Sequence, residues 1–222
     1  EIIEIGAVLL DESLKICDSF KTYVRPEYGA LDSVISELTG ITNEQMSSGI
    51  GFRDAVAKYN AWAGKGNITM TWSDSDLYAI VENSRIFLDN SLRFSLDGYL
   101  DLQSYIQGEL RLLGNSITNQ ISLANAAEML GINIDGFELH NAKDDAYVSA
   151  IMLKKTYNKE RFNKLVRDTS DNSFYDRLFF RAYCISNIKD KRIDKKTLRF
   201  TCPGCKKALK NNNKWRFKNN WF

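Results

Sequence analysis

His140 is the only histidine among 222 residues, and it heads the stretch His140-Asn141-Ala142-Lys143-Asp144-Asp145-Ala146. An imidazole near its ordinary pKa of about 6.5 moves a proton at neutral pH, and carboxylates hold hard divalent cations. A second acidic pair, Asp74 and Asp76, follows Trp72 in the run Thr-Trp-Ser-Asp-Ser-Asp at residues 71–76. Carboxylates from two distant stretches, one of them with a histidine close by, are the parts of a metal-assisted hydrolase. Each part alone has a plainer reading: an aspartate at a helix start is commonly a cap, a lone histidine structural, a tryptophan core. Their combination in this order is what points to chemistry.

The flanking patterns say which elements must carry these groups. Residues 2–10 and 14–24 are rich in β-branched and aliphatic residues and are separated by Asp11-Glu12-Ser13, which predicts a β-hairpin ended by Arg25-Pro26. Phe52, Ala55, Val56, Tyr59, Trp62 and Ala63 recur at helical spacing up to Gly64. Ile68, Met70 and Trp72 alternate with threonines, the mark of a strand, and a helical stretch follows the acidic pair. Asp74 and Asp76 therefore fall at the carboxyl end of a strand, where open α/β sheets place their chemistry. Residues 99–103 form a weaker strand pattern, and Ser122 opens a helix that Gly131 terminates. A further helix runs from Asp144 to about Tyr157, with His140 just before it and Asp144-Asp145 in its first turn, where the helix dipole favours carboxylates.

The totals bound the class. The chain is long enough for one α/β domain with a real core plus a small appendage, and no apolar run approaches the roughly 20 residues of a membrane span, so a membrane protein is not expected. Four cysteines, two isolated and two in Cys202-Pro203-Gly204-Cys205, do not suggest a disulfide framework and fit a reducing, cytoplasmic setting. Residues 186–222 hold 12 Lys/Arg against Asp190 and Asp194, a balance of +10, which leaves −8 on the rest of a chain whose total is +2. An acidic body suits cation binding, and a basic end suits polyanions, although a solvated tail is the simpler alternative. The chain opens on Glu1-Ile2-Ile3 inside an apparent strand and closes on Trp221-Phe222, which reads as a piece of a longer protein.

Taken in order, "IIEIGAV", "LTGIT", "TWSDSD", "DLQ", "SLANAAEMLGI" and "HNAKDDA" resemble the DEDDh 3′–5′ exonucleases, the proofreading-subunit and RNase T-like branch of the ribonuclease H-like fold, over residues 1–155. The resemblance implies an α/β fold: a ribonuclease H-like mixed sheet flanked by helices, here with the first strand missing, plus a small C-terminal tail. It places the exonuclease-like domain at 1–157, a helical extension at 158–188 and the basic tail at 189–222. It makes Asp76 and Asp145 ligands of two Mg²⁺ or Mn²⁺ ions, with Asp74 and Asp144 the near misses, and His140 the general base on the attacking water. It also makes Leu38, Thr39, Gly40 and Ile41 a substrate-binding turn, with the two apolar side chains against a terminal base; an ordinary turn is an equal alternative. The substrates would be single-stranded DNA or RNA 3′ ends.

Two departures qualify that picture. The family's first motif, Asp-x-Glu, lies on a strand just upstream of the matched segment, and neither Glu1 nor Glu4 fits it, so the 222 residues alone are expected to be catalytically impaired. The alternative function is a nucleic-acid-binding or adaptor protein built on an inactive exonuclease-like domain. Cys202 and Cys205 look like the first knuckle of a zinc ribbon, two thiolates that supply half of a tetrahedral Zn²⁺ site. The tail's lysines and arginines interleave with Trp215, Phe217, Trp221 and Phe222, a composition suited to single-stranded nucleic acid or to a small ribbon core.

Overall fold

The structure, a computed structural model, describes residues 1–89, 93–170, 174, 201–202 and 204–208. It divides into two compact units, Glu1–Tyr175 and Asp176–Phe222. The first unit begins with the expected hairpin: β1 (Glu4–Leu10) pairs antiparallel with β2 (Ile16–Tyr23), and the register slips by one residue at Leu9/Leu10. Three helices follow, α1 (Ser33–Thr39), α2 (Asn43–Ser47) and α3 (Phe52–Ala63), the last burying Phe52, Ala55, Val56 and Tyr59 along the stripe legible in the sequence.

A second sheet holds β3 (Ile68–Thr71), β4 (Gly98–Asp101) and β5 (Arg167–Asp168) in that order, with β3 parallel to β4 and β5 antiparallel to it. The architecture is thus mixed α/β, with the described strands in two small sheets of which β1 and β3 are edge strands. Between β3 and β4 runs α4 (Ser75–Phe87); after β4 come α5 (Leu102–Leu112), α6 (Leu123–Met129), α7 (Ala142–Thr156) and α8 (Lys159–Leu165).

The strand expected at 99–103 ends at Asp101, and the chain turns directly into α5. The Asp101 side chain accepts a hydrogen bond from the Ser104 N–H and so stops the ladder by capping the helix. That helix carries Tyr105, Ile106 and Leu110 into a core shared with Ala126, Ala127, Val148, Met152, Leu153 and Phe162. Asn158 N–H donates to the Tyr105 hydroxyl at 2.8 Å, and the Arg161 guanidinium grips the Glu109 carboxylate, so α8 belongs to this core. The division expected at residue 157 therefore falls inside the first unit, which continues through β5. Residues 175–200, where the expected helical extension ends and the basic tail begins, lie outside the described residues. Among the described residues, no helix is long and apolar enough to cross a membrane.

Candidate active site

Two helix starts bring the acidic groups together, and each is approached through a turn that holds a non-glycine residue in the left-handed region. Ser73 has φ 77° and His140 φ 70°, conformations that cost a side chain of order 1 kcal/mol or more and persist only where the surroundings impose them. At the first turn, the Tyr99 hydroxyl on β4 lies 2.7 Å from Thr71 Oγ1, 3.2 Å from the Ser73 carbonyl oxygen and 3.1 Å from Asp74 Oδ1. Burial pushes this phenol well above its ordinary pKa, so it stays neutral and keeps its proton for those oxygens. Arg167 closes the cluster, 3.8 Å from Asp74 Oδ2 and stacked over the Tyr99 ring at 5.8 Å. Asp74 is thereby tied to β4 and β5, and Asp76, in the first turn of α4, faces the cleft.

At the second turn Asn141 caps α7, its side chain accepting from the Lys143 N–H. The Asp144 carboxylate turns back to accept from the Glu138 N–H at 2.9 Å, which leaves Asp145 as the member of the pair that lines the cleft with His140. The His140 N–H donates to Asp145 Oδ1 at 3.3 Å. The near misses, Asp74 and Asp144, are both engaged elsewhere by structural partners.

Electrostatics link the two starts. Desolvation raises the Asp76 carboxyl above 3.8, and the Asp145 charge raises it further; the residue is exposed at the cleft mouth, yet protein walls remove water from its carboxylate. Asp145 is also raised, first by burial; the His140 N–H and imidazole oppose this, and Asp144 and Glu4 add to it. Two partly desolvated carboxylates, one raised by the charge of the other, form a donor set suited to a hard dication. Among the described residues no three His, Cys, Asp or Glu side chains are close enough together to hold a metal by themselves, so this pair is an incomplete site.

The cleft has a volume of about 580 Å³ and is walled by every residue from Ile2 to Leu10 and from Asn67 to Trp72. Successive rather than alternate residues line it, so what faces it are the free backbone edges of β1 and β3 as well as side chains. The Trp72 indole N–H is buried there without a hydrogen-bond partner among the described residues.

The family model for exonucleases, RNase_T, matches residues 1–153 of the chain. The chain belongs to this exonuclease family. Curated relatives of the exonuclease domain include ERI1 exoribonuclease 2 of Xenopus laevis, 40% identical over 67 residues that make up 29% of this chain and 10% of the relative. ERI1 exoribonuclease 2 of Homo sapiens is 28% identical over 179 residues, 70% of this chain and 25% of the relative. The chain thus spans a quarter or less of these relatives' lengths. Among solved structures, the nuclease domain of 3'hExo, a DEDDh family member bound to rAMP, superimposes with a TM-score of 0.61 at 24% identity, over 77% of this chain and 86% of that one. Cell-death related nuclease 4 gives 0.61 at 20% identity, over 76% and 58%. These likenesses establish the fold, and divalent metal ions are general to the family.

Within the exonuclease domain the remaining sequence-derived residues fall as follows. Leu38, Thr39 and Ile41 border the cleft; Leu38 is half exposed, whereas Ile41 is buried. The Thr39 hydroxyl bonds within its own turn, to the Ile35 carbonyl at 2.8 Å, and Gly40, with φ 69°, terminates α1. In the second unit, Cys202 and Cys205 are free thiols on a turn closed by the Thr201–Ala208 bridge. Hydrogen bonds from the Cys205 and Gly204 N–H groups hold the Cys202 thiol below its ordinary pKa. Glu4 went unassigned in the sequence, yet it lines the cleft with its side chain buried. The signal available was a lone carboxylate inside the otherwise apolar run Ile2 to Leu10.

Proposed function

We propose that the domain is the catalytic part of a metal-dependent 3′–5′ exonuclease that removes nucleotides from single-stranded DNA or RNA 3′ ends. The observation that carries this reading is the mutual approach of Asp76 and Asp145 at one cleft, with His140 on its rim. Asp76 and Asp145 would hold Mg²⁺ or Mn²⁺, which would supply positive charge to the phosphoryl oxygens. His140 accepts the proton of the attacking water; the water oxygen bonds to phosphorus, the bond to the 3′-oxygen of the preceding nucleotide breaks, and a nucleoside 5′-monophosphate leaves. Its exposure lets the imidazole reach a bound phosphodiester. Leu38 packs against the terminal base from the cleft border.

The free edges of β1 and β3 at the cleft would accept an added extended strand, and one that carried Asp-x-Glu would bring further carboxylates toward Asp76 and Asp145. In the second unit, Cys202 and Cys205 form half of a Zn²⁺ site, and the low thiol pKa at Cys202 favours metal-ready thiolate. The deciding experiment incubates the protein, with a strand carrying Asp-x-Glu in place, with 3′-labelled single-stranded oligonucleotides and Mg²⁺. Stepwise release of 5′-mononucleotides that is abolished by EDTA and by Asp145→Ala supports the reading. Binding without release would favour the adaptor alternative.

A further inference from the structure

Glu4, Lys21 and Gly6 carry no assigned role, yet Gly6 and Glu4 meet the backbone of the helix start that bears His140 and Asp145, and Lys21 pairs with Glu4. A Cβ on Gly6 would stand 2.3 Å from Lys143 N, 2.4 Å from Ala142 C and 2.8 Å from Ala142 Cβ, so β1 touches the first peptide of α7 with no room for a side chain. Two residues earlier the Glu4 carboxylate is buried; one oxygen lies 2.7 Å from Lys21 Nζ, a charge contact without hydrogen-bond geometry, and the other lies 3.5 Å from the Ala142 amide nitrogen. That N–H belongs to the first turn of α7, whose donors have no partner within the helix, and the helix dipole favours an anion there. A buried carboxylate needs a partner charge, and the Lys21 ammonium, reaching across from β2, supplies it.

We infer that Glu4, neutralised by Lys21, together with the bare backbone at Gly6, forms a seat on β1 that positions the start of α7 and thereby fixes His140 and Asp145 over the cleft. The three are positioning residues. The seat explains how His140 is held in a left-handed conformation: Ala142 and Lys143 are pinned from below, and the His140 N–H is drawn to Asp145 from within. The inference builds on the proposed nuclease role of His140 but concerns its placement, which can be observed without turnover.

The single histidine makes that placement directly readable, because a tag-free chain gives one imidazole Hε1 resonance. Glu4→Gln, Lys21→Met, Lys21→Arg and Gly6→Ala are compared by NMR, by thermal melting and by 3′-end hydrolysis. Glu4→Gln and Lys21→Met are expected to move the His140 Hε1 signal and the His140 and Ala142 amides by more than a linewidth, while the core amides of Ile106 and Phe162 stay in place. Lys21→Arg restores the native positions. Where turnover is measured, kcat falls about tenfold or more with KM little changed, since a small misplacement of a reacting group costs rate rather than binding. Gly6→Ala reproduces the shifts if it folds, and Glu4→Gln decides if it does not. Unmoved His140 signals in folded Glu4→Gln overturn the seat whatever the activity, as do shifts spread evenly through the core. A chain with the Asp-x-Glu strand in place that shows the His140 shifts on mutation but never hydrolyses a 3′ end keeps the seat and refutes the nuclease role.

Discussion

Asp76 and Asp145 are stressed groups, and the sign of that stress is testable. Folding raises both carboxyls above 3.8, so between that value and the raised ones the folded chain binds more protons than the unfolded chain. Stability therefore falls as pH rises through this window, and the penalty is fully present at neutral pH. Asp145→Asn is expected to raise the thermal midpoint at pH 7 and to leave it almost unchanged below pH 3.8, a difference that melting across pH would register. Mg²⁺ should raise the native midpoint more than that of the variant. His140→Ala should lower kcat by roughly 10²- to 10⁴-fold, the usual contribution of a positioned general base, with no gain in stability, because alanine keeps the Cβ that makes a φ of 70° costly. The sequence nominated these three residues through their order along the chain and the resemblance that order carries, since an aspartate at a helix start is ordinary when taken singly. It left Glu4 unassigned, because a carboxylate inside an apolar strand reads as an anomaly until its partner Lys21, 17 residues away, is seen at 2.7 Å.

At the level of elements, the site depends on where two helices begin. Asn141 caps α7 through the Lys143 N–H, and Asn141→Ala should cost about 1 kcal/mol of stability, read as a lower denaturant midpoint with an unchanged slope. Glu4→Gln in that background should cost less than it does alone, because both changes loosen the same turn. The hairpin, α3 and β3 were legible from period and composition, for each has one clear face. The end of β4 was not: residues 99–103 read as one weak strand, and only the Asp101 cap bonded to Ser104 shows that the last two belong to α5. The signal was present, because Leu102, Tyr105, Ile106 and Leu110 follow helical spacing.

Over the whole chain, charge is divided between an acidic body and a basic end, and this predicts a salt signature. Removing residues 206–222 deletes Lys206, Lys207, Lys210, Lys214, Arg216 and Lys218. If these touch phosphates, affinity for single-stranded oligonucleotides should fall, and the slope of log affinity against log salt should shrink by roughly 0.7 per lost contact, measured by fluorescence anisotropy. An unchanged slope would leave the tail a solubilising segment. The amino-acid sequence by itself determined the class of chemistry, the α/β alternation and the charge division, because residue type, spacing and net charge are properties of the chain as written. Only the tertiary structure decided what ties Asp74 and Asp144 away from the cleft, that α8 and β5 belong to the main unit, and that Glu4 and Gly6 lie against the histidine's helix. Those choices rest on hydrogen-bond partners and close approaches between segments as many as 138 residues apart, a relation that no local pattern encodes.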